Sequence, residues 1–275
     1  MEVLINGKTL DITLENEKNI GQVIAGLEQW LSGCGHILTK LSIDGSDVPA
    51  SQVEEAFNKD IDSVTSLDIQ TDVKSNLTSS ALFTLLEDIK EYENLDYEKK
   101  NSFFENWKNK PHVTYTSGQI PDLYSSCVKA FSRGEIAPEN LYSITKERLN
   151  EVNNPLDEFK KIEPLLNEVC GSLVDLPLDI QTGKDFKAAQ TIQFFAAVTE
   201  KILRIYDELN YQGCIAINNE QLTTSITQFN NLLRELMEAY ERNDLVLVGD
   251  IAEYEASVKI KELYNIILEH SRGEK

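Results

Sequence analysis

The stretch DLPLDIQTGKD, Asp175 to Asp185, comes nearest in this chain to a phosphate-binding loop. A loop of that kind places a glycine five residues ahead of its Gly-Lys pair and a Ser or Thr directly after it. Backbone N–H groups then wrap the phosphates while a hydroxyl reaches the magnesium. Here Leu178 holds the first position and Asp185 the last, and a carboxylate at that point repels the anion. The pattern predicts a helix start instead, with Pro177 setting an extended entry and Thr182 or Asp185 as the cap. Metal chemistry is equally thinly supplied. Cys34-Gly35-His36 offers two ligand types without a second pair, so it reads as a glycine-rich helix end. The other histidines are His112, expected in a loop after Pro111, and His270, expected in a last helical turn. A di-iron carboxylate site needs Glu three residues before His on two helices. Those positions hold Gly33, Asn109 and Ile267. Asp250 and Glu253, with Glu255 beside them, are carboxylates at helical spacing among aliphatic residues, which describes a solvated face. No nucleophile elbow, zinc-protease motif or dinucleotide fingerprint occurs. Neither cofactor nor metal is expected. An enzyme whose carboxylates assemble from several helices stays open as an alternative.

The elements that would carry these residues fall into two periods. In the first seventy or so positions Val3, Ile5, Leu10, Ile12 and Leu14 alternate around Asn6-Gly7, a dipeptide suited to the positive φ angles of a type I′ hairpin turn. Ile20, Val23, Ile24, Leu27, Trp30 and Leu31 then recur at helical spacing up to Gly33 and Gly35. Leu41 and Ile43 before Asp44-Gly45, and Leu67 with Ile69, alternate again as strands. Thr71 to Ser80 is polar and reads as a linker. Beyond it helical spacing takes over in Ala81–Tyr92, Tyr97–Trp107, Leu123–Phe131, Leu141–Val152 and Leu156–Leu173, with prolines between them or near their starts. The clearest stripes come last: Phe195 to Leu209, Leu222 to Tyr240, and Leu247 through Val258 to Ile267, separated by Gln212-Gly213 and Arg242-Asn243-Asp244. Short turns between such stripes favour an antiparallel bundle. The expected class is α+β, with a small sheet domain over 1–72, a linker over 73–79 and a helical bundle over 80–275.

The pieces MEVLINGKTLDITL, NIGQVIAGLEQWL, KLSIDGSDV and SLDIQ, in that order, resemble a ubiquitin-like β-grasp domain. The resemblance implies one helix crossing a mixed sheet. Conjugation and sulfur transfer in that family use a C-terminal Gly-Gly. This chain ends Arg272-Gly273-Glu274-Lys275, so docking is the implied role. The last helices, FNNLLRELMEAYERNDLVLVGDIAEYE above all, are similar to the bundles of flagellar export chaperones. That resemblance implies capture of a partner's amphipathic helix in an apolar groove.

Charge narrows the partners. Lys and Arg number 26 against 46 Asp and Glu, a formal charge of −20. Phosphate backbones and anionic lipid are repelled by such a surface, so neither nucleic acid nor membrane is an expected partner. No apolar stretch reaches spanning length, no signal peptide opens the chain, and four scattered cysteines suit a reducing compartment. A cytoplasmic protein that binds other proteins follows. The sharpest candidate is Leu245-Val246-Leu247-Val248, four aliphatics in a row where one face can bury fewer. With Leu247 and Ile251 in the bundle seam, Val246 and Val248 are expected on a second face. Either earlier helices such as Ala81–Tyr92 cover it, or it lines a groove rimmed by Asp244, Asp250 and Glu253 for a partner helix carrying Lys or Arg. Self-association through the heptad seams is the alternative.

Overall fold

The computed structural model describes residues 1–12, 17–215 and 220–271, so Leu14 of the expected hairpin lies outside the described residues. The chain is α+β, a small mixed sheet followed by a mostly helical region. It divides into two compact units, Met1–Leu149 and Asn150–Lys275.

In the first unit β1 (Glu2–Ile5) turns through Asn6 and Gly7, at φ 51° and 74°, into β2 (Lys8–Thr9). These are the left-handed angles that the hairpin turn requires. Helix α1 (Ile20–Gly33) starts where the Asn19 side chain accepts from the Gln22 N–H at 3.0 Å, satisfying one of the orphan donors of a first turn. It stops at Cys34, and Gly35 takes φ 72°. Then come β3 (His36–Ile43), β4 (Ser46–Asp47), the short α2 (Val53–Phe57) and β5 (Ser66–Val73). The sheet order is β2-β1-β5-β3-β4, with β1 and β5 parallel and the other pairs antiparallel. Ile20, Val23, Ile24 and Leu27 of α1 share one core with Val3, Leu41, Ile43, Leu67 and Ile69 of the sheet.

The expected linker is absent. Strand β5 runs to Val73 and α3 (Lys74–Glu93) begins at the next residue, anchored where the Lys74 N–H donates to the Gly35 carbonyl at 2.8 Å. The first turns of α3 look like a linker because their buried face is polar. Ser75 and Thr78 are buried, and Thr78 Oγ1 bonds the Tyr115 hydroxyl at 2.7 Å. A second departure is α5 (Pro111–Gln119), which places His112 in a helix and not in a loop. Pro111 opens it, Val113 and Thr116 are its buried residues, and so little apolar text left no stripe to read. Helices α4 (Tyr97–Trp107), α6 (Pro121–Arg133) and α7 (Pro138–Asn153) match the expected segments. Tyr92, Phe103 and Phe131 meet at 4.7 to 5.3 Å between ring centres, with Trp107 edge-on to Phe131 at 5.0 Å. Buried Asp88 accepts from Lys110 Nζ and contacts His112 Nε2, both at 2.6 Å. Burial, with Asp88 adding to it, pushes the Cys127 thiol up to about 12.

The second unit holds α8 (Pro155–Lys160), α9 (Glu163–Gln181), α10 (Asp185–Tyr211), α11 (Glu220–Glu241) and a last helix in three parts. These parts are α12 (Leu245–Asp250), a π-helical stretch Ile251–Ala256, and α13 (Ser257–His270). One core runs through them, from Phe159 and Leu173 to Phe195, Ile202, Phe229, Ile251 and Ile260. Pro177 does not set an extended entry; it lies inside α9. The Thr182 hydroxyl donates back to the Leu178 carbonyl at 2.7 Å, Gly183 turns the chain at φ 70°, and α10 begins without a side-chain cap. Lys184, far from any phosphate role, pairs with buried Asp179 at 3.2 Å, and Lys187 pairs with it at 2.7 Å. The hydrogen bond from Lys187, helped by Lys184, holds the Asp179 carboxyl below its ordinary range despite burial.

Candidate functional site

Helices α10 and α11 follow one another in sequence yet share no packed seam. Helix α10 packs on α8 and α9, and α11 packs on α12, the π-helical stretch and α13. The space left between them is a groove of about 440 Å³. Ile192, Phe195, Ala196 and Leu203 of α10 form one wall; Leu233, Leu236, Met237 and Tyr240 of α11 form the other. Both walls follow from apolar stripes wider than one core contact can use. On α11 the narrow seam Leu222, Phe229, Leu232 and Leu236 is buried, whereas Met237 is 63% and Tyr240 53% exposed. Polar groups reach the groove at Thr199, Glu200 and Glu241. Both glutamates are exposed, and Glu200 Oε1 lies 3.3 Å from Arg204 Nη1. Arg204 is held in turn by buried Glu151, at 2.7 and 2.9 Å from its two oxygens, which fixes the outer face of α10.

The Leu245–Val248 segment divides between two surroundings. Val248 lines the groove and is 0% exposed, covered within its own unit. Its neighbour Val246 is 76% exposed and takes no part in the groove, so the two valines do not share a face. The reason is local. An added Cβ on Gly249 would stand 3.3 Å from Pro177 Cβ, so the α12 backbone rides directly on α9 and turns Val248 inward. The expected acidic rim is also placed elsewhere. Asp244 caps α12, accepting from the Leu247 N–H at 3.1 Å, and Asp250 is exposed. Glu253 lies half-buried in the π-helical stretch, where it bonds Tyr254 and raises that phenol. None of the three lines the groove; Glu200 and Glu241 do. Of the wall residues, Phe195 on α10 and Leu233, Leu236 and Tyr240 on α11 belong to the apolar stripes of the sequence, where Tyr240 reads as core by spacing alone; Ile192, Ala196, Leu203 and Met237 fall outside those stripes. The π-helical turn left no sequence signal.

Cys34 is exposed at the end of α1 and His36 opens β3. Among the described residues no three His, Cys, Asp or Glu side chains gather as a metal site, and no helix is long and apolar enough to cross a membrane.

Two family models match this chain. Residues 1–72 match the TP0873 N-terminal domain, ending one residue short of the end of β5. Residues 139–266 match a domain of unknown function, DUF8042, which takes in both walls of the groove. An uncharacterized protein of Treponema pallidum (strain Nichols) is 20% identical over 276 residues, spanning 99% of each chain. No solved structure matches.

Proposed function

We propose that this chain is a non-enzymatic, chaperone- or adaptor-like protein that holds an amphipathic helix of a partner protein between α10 and α11. The observation that carries the reading is the missing seam between two long, neighbouring helices whose facing sides are aliphatic. A third helix laid there completes the layer and removes Met237 and Tyr240 from water. Charge selects the kind of helix. Glu241 ends α11, where the helix terminus adds its own negative end, and Glu200 stands on the opposite wall. A chain with formal charge −20 draws basic partners and slows association with acidic ones. The occupant is thus an apolar stripe flanked by Lys or Arg. We read the N-terminal sheet, with α1 packed against it, as a β-grasp-type docking domain, which its mixed five-stranded order supports. Free, separated thiols support a cytoplasmic setting.

Displayed helical peptides with Lys or Arg flanking an aliphatic stripe provide the test. The full chain should select them, and Met237→Arg should abolish binding while leaving the melting temperature in place, since position 237 is exposed. Peptides that bind the Met237→Arg protein as well as the parent would place the interaction outside the groove.

A further inference from the structure

Thr199 sits in the α10 wall of this apolar groove and is only 5% exposed, yet its Oγ1 has no hydrogen-bond partner. Other helical hydroxyls of this chain show what usually happens. Thr116, Thr145, Ser257 and Ser271 each donate to the carbonyl four residues earlier, at 2.6 to 2.8 Å. That bond is the ordinary way a helical threonine satisfies itself without water. Thr199 forgoes it, and a buried hydroxyl left unpaired is costly. Valine, of the same shape, would avoid the cost in a wall whose other residues, Glu200 apart, are apolar. Resting on the helix-binding reading above, we infer that Thr199 is a specificity-determining residue: it selects a partner helix whose aliphatic stripe is interrupted by one hydrogen-bonding side chain. A Ser, Thr, Asn or Gln at mid-stripe reaches Oγ1 after a turn of the threonine about Cα–Cβ, which exchanges hydroxyl and methyl on the groove wall. A stripe of aliphatics alone leaves the hydroxyl stranded and is discriminated against, because a site holding a buried polar group rejects ligands that cannot pair with it.

The probe is a displayed library of helical peptides with fixed aliphatic stripe and flanking Lys, randomised at one mid-stripe position, selected against the full chain. The parent protein should enrich Ser, Thr, Asn or Gln there. A peptide pair differing only as Ser and Ala should bind it with about a fivefold preference for Ser. Thr199→Val should lose that preference and enrich aliphatics, whereas Thr199→Ser, which keeps the hydroxyl, should retain it. Melting curves of both variants verify that each is folded. Aliphatic enrichment on the parent, or an unchanged Ser preference on Thr199→Val, overturns the role of Thr199 while leaving the groove reading standing. Failure to select any peptide, or selected peptides indifferent to Met237→Arg, overturns both.

Discussion

Val248→Asp and Val246→Asp place the same carboxylate two residues apart, and the structure separates their outcomes by several kcal/mol. Val248 is fully buried where α12, α9 and the groove walls converge. Removing its burial costs about 2 kcal/mol. No Lys or Arg is among the described side chains that line the groove beside it, and an unpaired buried acid adds about 3 kcal/mol more even after it takes up a proton. The sum, about 5 kcal/mol, rivals the whole stability of an ordinary domain. Val246 lies in the first turn of α12 and faces water, where a surface change stays within about 0.5 kcal/mol and a negative charge suits the helix N-terminus. Val248→Ala, without the charge, should fall between them at about 2 kcal/mol. Urea unfolding followed by far-ultraviolet circular dichroism, with tryptophan fluorescence reporting on Trp30 and Trp107, both in the first unit, separates the two units. The expected result is early loss of helix in Val248→Asp with the fluorescence transition unmoved, and a parental curve for Val246→Asp. Equal curves for the two aspartate variants would refute the placement of α12 on which the groove depends.

Three further outcomes follow from the geometry. Gly249→Ala gains about 1 kcal/mol of helix propensity but drives a methyl against the rigid Pro177 ring at 3.3 to 3.4 Å, so thermal melts should show a net loss of about 1 kcal/mol. Asp88→Asn removes the charge that holds Lys110 and His112 and should destabilise the first unit by about 2 kcal/mol in denaturant titrations. Cys127 ionises near 12 when folded and near 9.0 when unfolded, so above pH 9 the unfolded chain binds fewer protons and stability falls by at most about 1.4 kcal/mol per pH unit up to pH 12. Cys127→Ala should flatten that slope between pH 9 and 11; an unchanged slope would remove the thiol as its cause.

The fold was legible wherever apolar residues alternate or step in threes and fours. The turn at Asn6-Gly7, helix α1, and helices α10 and α11 form where their spacing implies, although the second hairpin strand stops at Thr9, short of Leu10 and Ile12, and Trp30 and Tyr240 of the helical stripes face solvent. Reading failed where burial is polar or where one helix crosses another. Ser75 and Thr78 are buried with hydroxyl partners, so α3 opens with text that resembles a linker. Pro177 sits inside α9 with the Gly249 backbone close against its ring, a tertiary match between residues far apart in sequence. The same crossing decides the fate of the four aliphatics at 245–248, which local periodicity cannot distribute between core and solvent. Of the residues that the sequence sets side by side here, Val248 is fully buried, Val246 faces solvent, and Asp244, Asp250 and Glu253 lie outside the groove; Glu200 and Glu241 come to it from separate helices, a juxtaposition that local spacing does not show.

The most direct measurement is photo-crosslinking from the groove itself. A benzophenone side chain at position 237, in the full chain expressed in its own cell, stands in the opening between α10 and α11; a second at exposed Tyr97 serves as control. A crosslink unique to position 237 is expected, and mass spectrometry of the joined peptide should read a helical segment with an aliphatic stripe flanked by Lys or Arg. A crosslink to a second copy of this chain, to a lipid or to an acidic segment, or the same products from Tyr97, would contradict it.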